Sequence, residues 1–320
     1  NIGMMLLSSV SAWDLGFLGA DELAARTANC YDTLDRLEMH RGHFLNWYDT
    51  LSLHPLEPRY VSVVDSGNLA GCFIAILSFL RELESRPGIE PQRWRGVDDV
   101  LRLLGVAADQ VEEGGSSLKT AVESLRAKLS DLSKEPMRWH RQLADIYEND
   151  IPAMEQLIAK LVAIPESIST ENLREMHAWL DRLKHQLLTI RHDIGNFAPW
   201  LSVDSPPQEL EHVYREVATL LAAGSEEWRF EQALAMLSGE QDASEAGRRW
   251  IQSCREAIKS GQKHHEALVR ELQNLARQTQ TYNDNLQSAP FYEPARPSSR
   301  IGPTHSWDKL DLYHNEQFAI

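Results

Sequence analysis

The residues best suited to chemistry fall in two short runs, RGHFLNWYDT from Arg41 to Thr50 and VDSGNLAG from Val64 to Gly71. Trp47 and Tyr48 offer flat apolar faces that can stack on the C–H face of a sugar ring. Arg41, His43, Asp49, Asp65, Ser66 and Asn68 offer the bidentate and directional hydrogen bonds that vicinal hydroxyls require. Carboxylates match the local cations in number and no Gly-rich cradle is present, so a neutral polyhydroxyl ligand such as a glucan fits better than a phosphate. The same positions have a plainer use. Asp65 or Ser66 can cap a helix at Leu69, with Gly67 and Gly71 allowing close packing, and Trp47 can be an ordinary core aromatic. Spacing alone does not choose between the two uses.

Other chemistry finds less support. Asp49 and Asp65 are the natural pair for glycoside hydrolysis, which needs an acid and a partner carboxylate roughly 5 to 10 Å apart. His40 and His43 form HxxH, and His264 and His265 are adjacent, but neither set has an evident third ligand, so no metal is expected. His192-Asp193 before Gly195 reads as a helix end, and Asp98-Asp99 has no companion acidic motif. There is no GxSxG, P-loop or dinucleotide glycine run, and no cofactor is implied. Cys30 and Cys72 lie in apolar helical contexts that favour packing over nucleophilic chemistry.

The elements that must position these residues are helical. Leu118, Val122, Leu125, Leu129 and Leu132 recur at steps of four and three, which makes one face of a helix over 118–132. The same pattern predicts helices over 151–164 (Pro152 in its first turn), 171–190 (Thr170 as N-cap), 208–222 (closed at Gly224), 244–260 and 262–282. Breaks are expected at Gly114-Gly115, Pro165, Pro199 and Pro206-Pro207. Only Arg59 to Val64 (RYVSVV) has strand composition, and it stands alone. The fold class is therefore all-α. A helix at about 20–38 and an apolar helix from Leu69 flank a connection of near 28 residues that holds both chemical runs, and long structured connections are usually functional. The expected divisions are 1–90, 91–282 as a helical bundle, and 283–320 as an irregular tail.

Composition bounds the partners. The 320 residues carry 32 basic and 47 acidic side chains, a net charge of −15. That balance argues against nucleic acid and against docking on an anionic membrane surface. Three cysteines without a CxxC exclude a disulfide scaffold and fit a reducing compartment. The most apolar run, Leu69 to Leu80, is shorter than the roughly 20 residues of a membrane span, so no direct membrane insertion is expected. A start at Asn1 reads as a piece of a longer chain.

NIGMMLLSSVSAWDLGFLG, followed by RGHFLNWYDTLSLHPLEPRYVSVVDSGNLAG, resembles the cyclic β-1,2-glucan synthases. These are very large bacterial inner-membrane proteins that join a glycosyltransferase, a central glycoside-hydrolase-like domain and a phosphorylase-like domain. The resemblance is specific over residues 1 to about 84 and looser from 85 to 282. It implies the start of the central (α/α)6 toroid, which closes a linear β-1,2-glucan into a ring by transglycosylation with retention. It further implies β-1,2-glucan and the rest of the synthase as partners, and a soluble segment at the cytoplasmic face of the inner membrane. The family's toroid continues beyond the APFYEP sequence (Ala289 to Pro294), where its catalytic carboxylates are expected. Here the following residues depart from the family, so the chain reads as truncated and no catalytic residue is assigned. Carry-over is limited to the loop residues as contributors to a glucan cleft. The alternative is a non-catalytic α-helical binding or assembly module, which the acidic 96–282 segment would supply.

Overall fold

The computed structural model describes residues 2–86, 88–111, 114–162, 168–222, 227–240 and 243–286, with the backbone pairing of 300–301 to 313–314. The remainder, including Pro165, Gly224 and Ala289 to Pro294, lies outside the described residues. The chain is all-α, as the periodicity predicts. The helices are α1 (Ile2–Asp14), α2 (Ala20–Leu34), α3 (Val63–Leu83), α4 (Gln92–Asp109), α5 (Gly115–Leu132), α6 (Trp139–Asp145), α7 (Ile151–Val162), α8 (Thr170–Phe197), α9 (Glu211–Ala222), α10 (Glu227–Gly239) and α11 (Glu245–Asn285). Two compact units divide them. The first holds Asn1–Ser11, Leu23–Glu84 and Val269–Ile320; the second holds Ala12–Glu22 and Ser85–Leu268.

The second unit is built as its heptads require. Leu118, Val122, Leu125, Leu129 and Leu132 are all buried in a core that runs from Trp94 to Ile258. Each fully buried Leu contributes about 1.5–3 kcal/mol relative to exposure, so this face fixes α5 against its neighbours. Trp139 and Trp250 enter the core with their indole N–H groups satisfied, by Leu132 O at 2.9 Å and Asp204 O at 2.7 Å. One polar pair is buried there as well: Arg93 Nη2 lies 3.4 Å from Asp193 Oδ2, with side chains 2% and 4% exposed. Arg93 also donates to Gly16 O at 3.1 Å and Thr189 Oγ1 at 2.7 Å.

Several boundaries differ from the sequence expectation, each for a local reason. The helices expected at 244–260 and 262–282 are one, α11. Gly261 is not a break: a Cβ there would meet Trp200 Cζ3 at 2.8 Å and Pro199 Cδ at 3.0 Å, so the glycine admits a neighbour's bulk. Ser169, not Thr170, caps α8, its side chain accepting from Asn172 N. α8 runs on through His192, Asp193 and Gly195 because Asp193 is paired to Arg93 within the core, and it stops at Phe197 ahead of Pro199. Pro152 does not open a free helix. A π-helical turn, Ile146–Asp150, joins α6 directly to α7 just ahead of it, where the missing N–H and the ring disfavour a regular helical turn.

In the first unit α3 begins at Val63, six residues before Leu69. Ser62 is its N-cap and accepts from Asp65 N at 3.2 Å, so neither Asp65 nor Ser66 is the cap. The β-branched tail of RYVSVV therefore enters a helix, because a good cap outweighs a weak strand propensity that no neighbouring strand supports. α3 carries its apolar run inside a helix of 21 residues, long and apolar enough to cross a membrane by length and composition. Its buried face, Leu69, Phe73, Ile76, Leu77 and Leu80, belongs to the first unit's interior.

Candidate functional site

The connection between α2 and α3 rests on an aromatic base. Tyr282 of α11 stacks on Phe73 of α3 (centroids 5.6 Å apart, planes at 16°) and meets Tyr31 of α2 edge-on at 5.3 Å. Its hydroxyl donates to Asp35, while the Tyr31 hydroxyl and Thr279 Oγ1 share a 2.5 Å bond. Burial pushes the Tyr31 phenol up to about 12, so it stays neutral within this packing.

From that base the chain folds back as a two-residue hairpin. β1 (Met39–His40) pairs with β2 (His43–Phe44), and the turn residues Arg41 and Gly42 both have positive φ, 51° and 81°. Two positive values are what a two-residue hairpin requires to match strand twist. Gly42 is obligatory here, since a Cβ would lie 1.9 Å from Asn285 O. The sequence expectation had no hairpin, because a charged residue at the first turn position is not a hairpin signal. Arg41 is exposed at the turn, and His43 behind it is buried.

The next residues divide by what holds them. The Tyr48 hydroxyl donates to Glu38 O at 2.7 Å and accepts from Leu45 N at 2.6 Å, and burial pushes it up to about 12. Tyr48 therefore ties the loop to itself and packs against Leu45 and Val61. Asp49 Oδ1 accepts from Ser52 N at 2.7 Å, Ser52 Oγ at 2.8 Å and Leu51 N at 3.1 Å. Those bonds stabilise the ionised form and hold its pKa below the usual carboxylate value. Asp49 is thus engaged in a local turn, while Asp65 is engaged elsewhere, so the two carboxylates have separate partners. Trp47 is different: its side chain stands out, 58% exposed.

Asp65 and Asn68 lie on the exposed side of the first turns of α3, and Ser66 points inward, 9% exposed. Gly67 and Gly71 on that helix have open space where a Cβ would stand, so they do not serve close packing here. Between Trp47 and Asp65 sits Asn46, which sequence reasoning passed over. In the amide orientation that complements its neighbours, Asn46 accepts from Trp47 Nε1 at 2.7 Å and from the Tyr60 hydroxyl, and donates to Asp65 Oδ2 at 3.1 Å. Asn46 N donates to Tyr60 O at 2.9 Å and Leu56 N donates to Trp47 O at 3.0 Å, which fixes the main chain on both sides. Of the eight residues singled out from sequence, Trp47 and Asp65 meet through Asn46, Asn68 lies further along the same exposed side of α3, and Tyr48 and Asp49 shape the loop. An exposed ring beside a carboxylate and amides can stack on one face of a polyhydroxyl ligand and bond its edge.

The other sequence candidates take structural places. Among the described residues no group of three His, Cys, Asp or Glu side chains is gathered as a metal would need. His264 Nε2 lies 2.8 Å from Asp21 Oδ2, and His265 is buried, with its pKa lowered chiefly by desolvation. The Cys30 thiol is pushed up to about 11 by burial, which removes its nucleophilic form at neutral pH. Asp98 accepts both Nε and Nη2 of Arg126. In the second unit burial, reinforced by Asp21 and Glu22, pushes the Asp193 carboxyl up to about 7 against the pull of Arg93.

No family model matches the chain. A stretch of 187 residues, 57% of the chain, is 33% identical to the cyclic beta-(1,2)-glucan synthase NdvB of Rhizobium meliloti (strain 1021). The chain is thus related to a cyclic β-(1,2)-glucan synthase, as the two sequence runs led us to expect. It spans 7% of that protein's length.

Proposed function

We propose that the surface formed by Trp47, Asn46, Asp65 and Asn68 binds β-1,2-glucan, as a contribution to the cyclisation domain of a cyclic glucan synthase. The single observation that carries this is Trp47. A large aromatic is left 58% exposed while its loop spends a tyrosine and an aspartate on holding that loop in shape. An exposed aromatic with polar neighbours fixed around it, carried on a shaped loop, suits a ligand that has both an apolar face and hydroxyls. The kinship with a cyclic β-(1,2)-glucan synthase supports the choice of glucan. On this view the segment works at the cytoplasmic face of the bacterial inner membrane as part of a larger protein. Transglycosylation with retention and the toroid architecture belong to the same proposal.

The test is incubation of the purified chain with linear β-1,2-glucan, followed by calorimetry and mass spectrometry. Binding without turnover is the expected result, and it is about thirtyfold weaker in Trp47→Ala. A product lighter by one water than its linear counterpart would show ring closure and place the chemistry in this chain. Absence of binding by a folded sample would overturn the proposal and leave the helical-module alternative.

A further inference from the structure

We infer that Asn46 is the positioning residue of this surface: its amide turns the Trp47 indole so that only the ring faces remain for a ligand, and sets the Asp65 carboxylate beside that ring. The ligand's identity rests on the glucan proposal; the positioning does not. Asn46 has one acceptor end and one donor end, and the site uses both. The oxygen takes the Trp47 indole N–H at 2.7 Å and the Tyr60 hydroxyl, and the nitrogen gives to Asp65 Oδ2 at 3.1 Å. The opposite orientation would set N–H against N–H at Trp47 and oxygen against oxygen at Asp65. Aspartate would accept at both ends, and an apolar residue of similar size would do neither.

This placement decides how the ring recognises its ligand. An unengaged exposed indole offers an N–H to a hydroxyl as well as a face. At Trp47 the N–H is already used, so the ring contributes stacking alone. Directional bonding falls to the first turns of α3, where Asp65 keeps a second oxygen and Asn68 follows on the same exposed side. The matching ligand is a pyranose laid with its C–H face across Trp47 and its hydroxyls toward α3.

Asn46→Asp in the full chain tests this. The variant keeps the acceptor for Trp47 and Tyr60 but sets a second carboxylate against Asp65. Two carboxylates at that separation share a proton in acid and repel once both are ionised. The Trp47 indole N–H signal, assigned by its loss in Trp47→Phe, is followed by NMR at pH 5 and pH 8, alongside binding of linear β-1,2-glucan. Wild type is expected to hold its indole signal at both pH values. Asn46→Asp should hold it at pH 5 and lose it at pH 8, with glucan binding about tenfold weaker at the higher pH, the effect of one lost charge-assisted bond. In Asn46→Asp/Asp65→Asn the donor and acceptor trade places, and the wild-type signal should return at both pH values. An indole signal in Asn46→Asp that matches wild type at both pH values would overturn the inference. So would its loss at both, or failure of the double variant to restore it. Should wild type not bind glucan, the indole signal alone decides, and only the ligand assignment falls.

Discussion

The loop that carries Trp47 and the Arg93–Asp193 pair each restrain an aspartate, and they do so by opposite means. At Asp193 the protein removes water: the carboxyl is 4% exposed and burial wins over the adjacent guanidinium, so its pKa rises to about 7. At Asp49 the protein supplies donors: three bonds from its own turn hold an exposed carboxylate below its usual value. One method makes a rigid interior and the other leaves a surface open to a ligand while keeping its shape. A perturbed pKa alone would not have pointed to the Trp47 surface, because the shift of Asp193 belongs to core packing and the proposed site owes its order to hydrogen bonds.

The largest effect is expected at Arg93. Arg93→Ala leaves a buried carboxyl without its cation, and loss of one partner of such a pair costs about 3–5 kcal/mol. Urea unfolding should show this as a lower midpoint. Arg93→Met with Asp193→Leu should recover most of it, since two apolar side chains of similar volume carry no desolvation cost. If the single variant unfolds like wild type, the pair is not what holds the Gly16–Glu22 segment.

The pH dependence follows from the same group. The Asp193 carboxyl is raised from the ordinary value of 3.8 to about 7 in the folded state, so folding favours its protonated form. It costs nothing below the unfolded pKa and costs progressively more as the pH rises from about 4 toward 7. Unfolding free energy should therefore fall across that window, and the fall should be smaller in Asp193→Asn than in wild type. Identical slopes for the two proteins would assign the pH dependence to other groups. At the open site Trp47→Ala should do the reverse of Arg93→Ala. Glucan affinity drops about thirtyfold, near 2 kcal/mol as for an aromatic anchor, while stability moves by no more than about 0.5 kcal/mol.

Much of the second unit was legible in the sequence because its information is local. The spacing of Leu118, Val122, Leu125, Leu129 and Leu132 states both the helix and the face it buries. The continuity of 244–260 with 262–282 was not legible, for the opposite reason: Gly261 is packed against Trp200, some sixty positions away, and nothing adjacent records that contact. The proposed site was half legible. Trp47 and Asp65 could be chosen by residue type, but Tyr48 and Asp49 were equally eligible and prove to be bonded within the loop. Asn46 carries no signal of its own, since its importance comes from Tyr60 and Asp65, which reach it only after the loop has closed.

The smallest expected effect is also the sharpest test of how the open site is held. Ser62 caps α3 by accepting from Asp65 N, so one hydroxyl fixes the helix start and the main chain of a proposed ligand contact. Loss of such a cap typically costs about 1 kcal/mol. Ser62→Ala should therefore lower stability slightly, raise amide exchange over the first turn of α3, and weaken glucan binding severalfold without touching the ligand. Ser62→Asp keeps an acceptor at the same place and should restore the exchange protection. If Ser62→Ala frays the turn and leaves binding unchanged, Asp65 is not a ligand contact. If neither changes, the helix start is held by the packing of Val61 and Leu69, and the open site shares more of the core's rigidity than its hydrogen bonds imply.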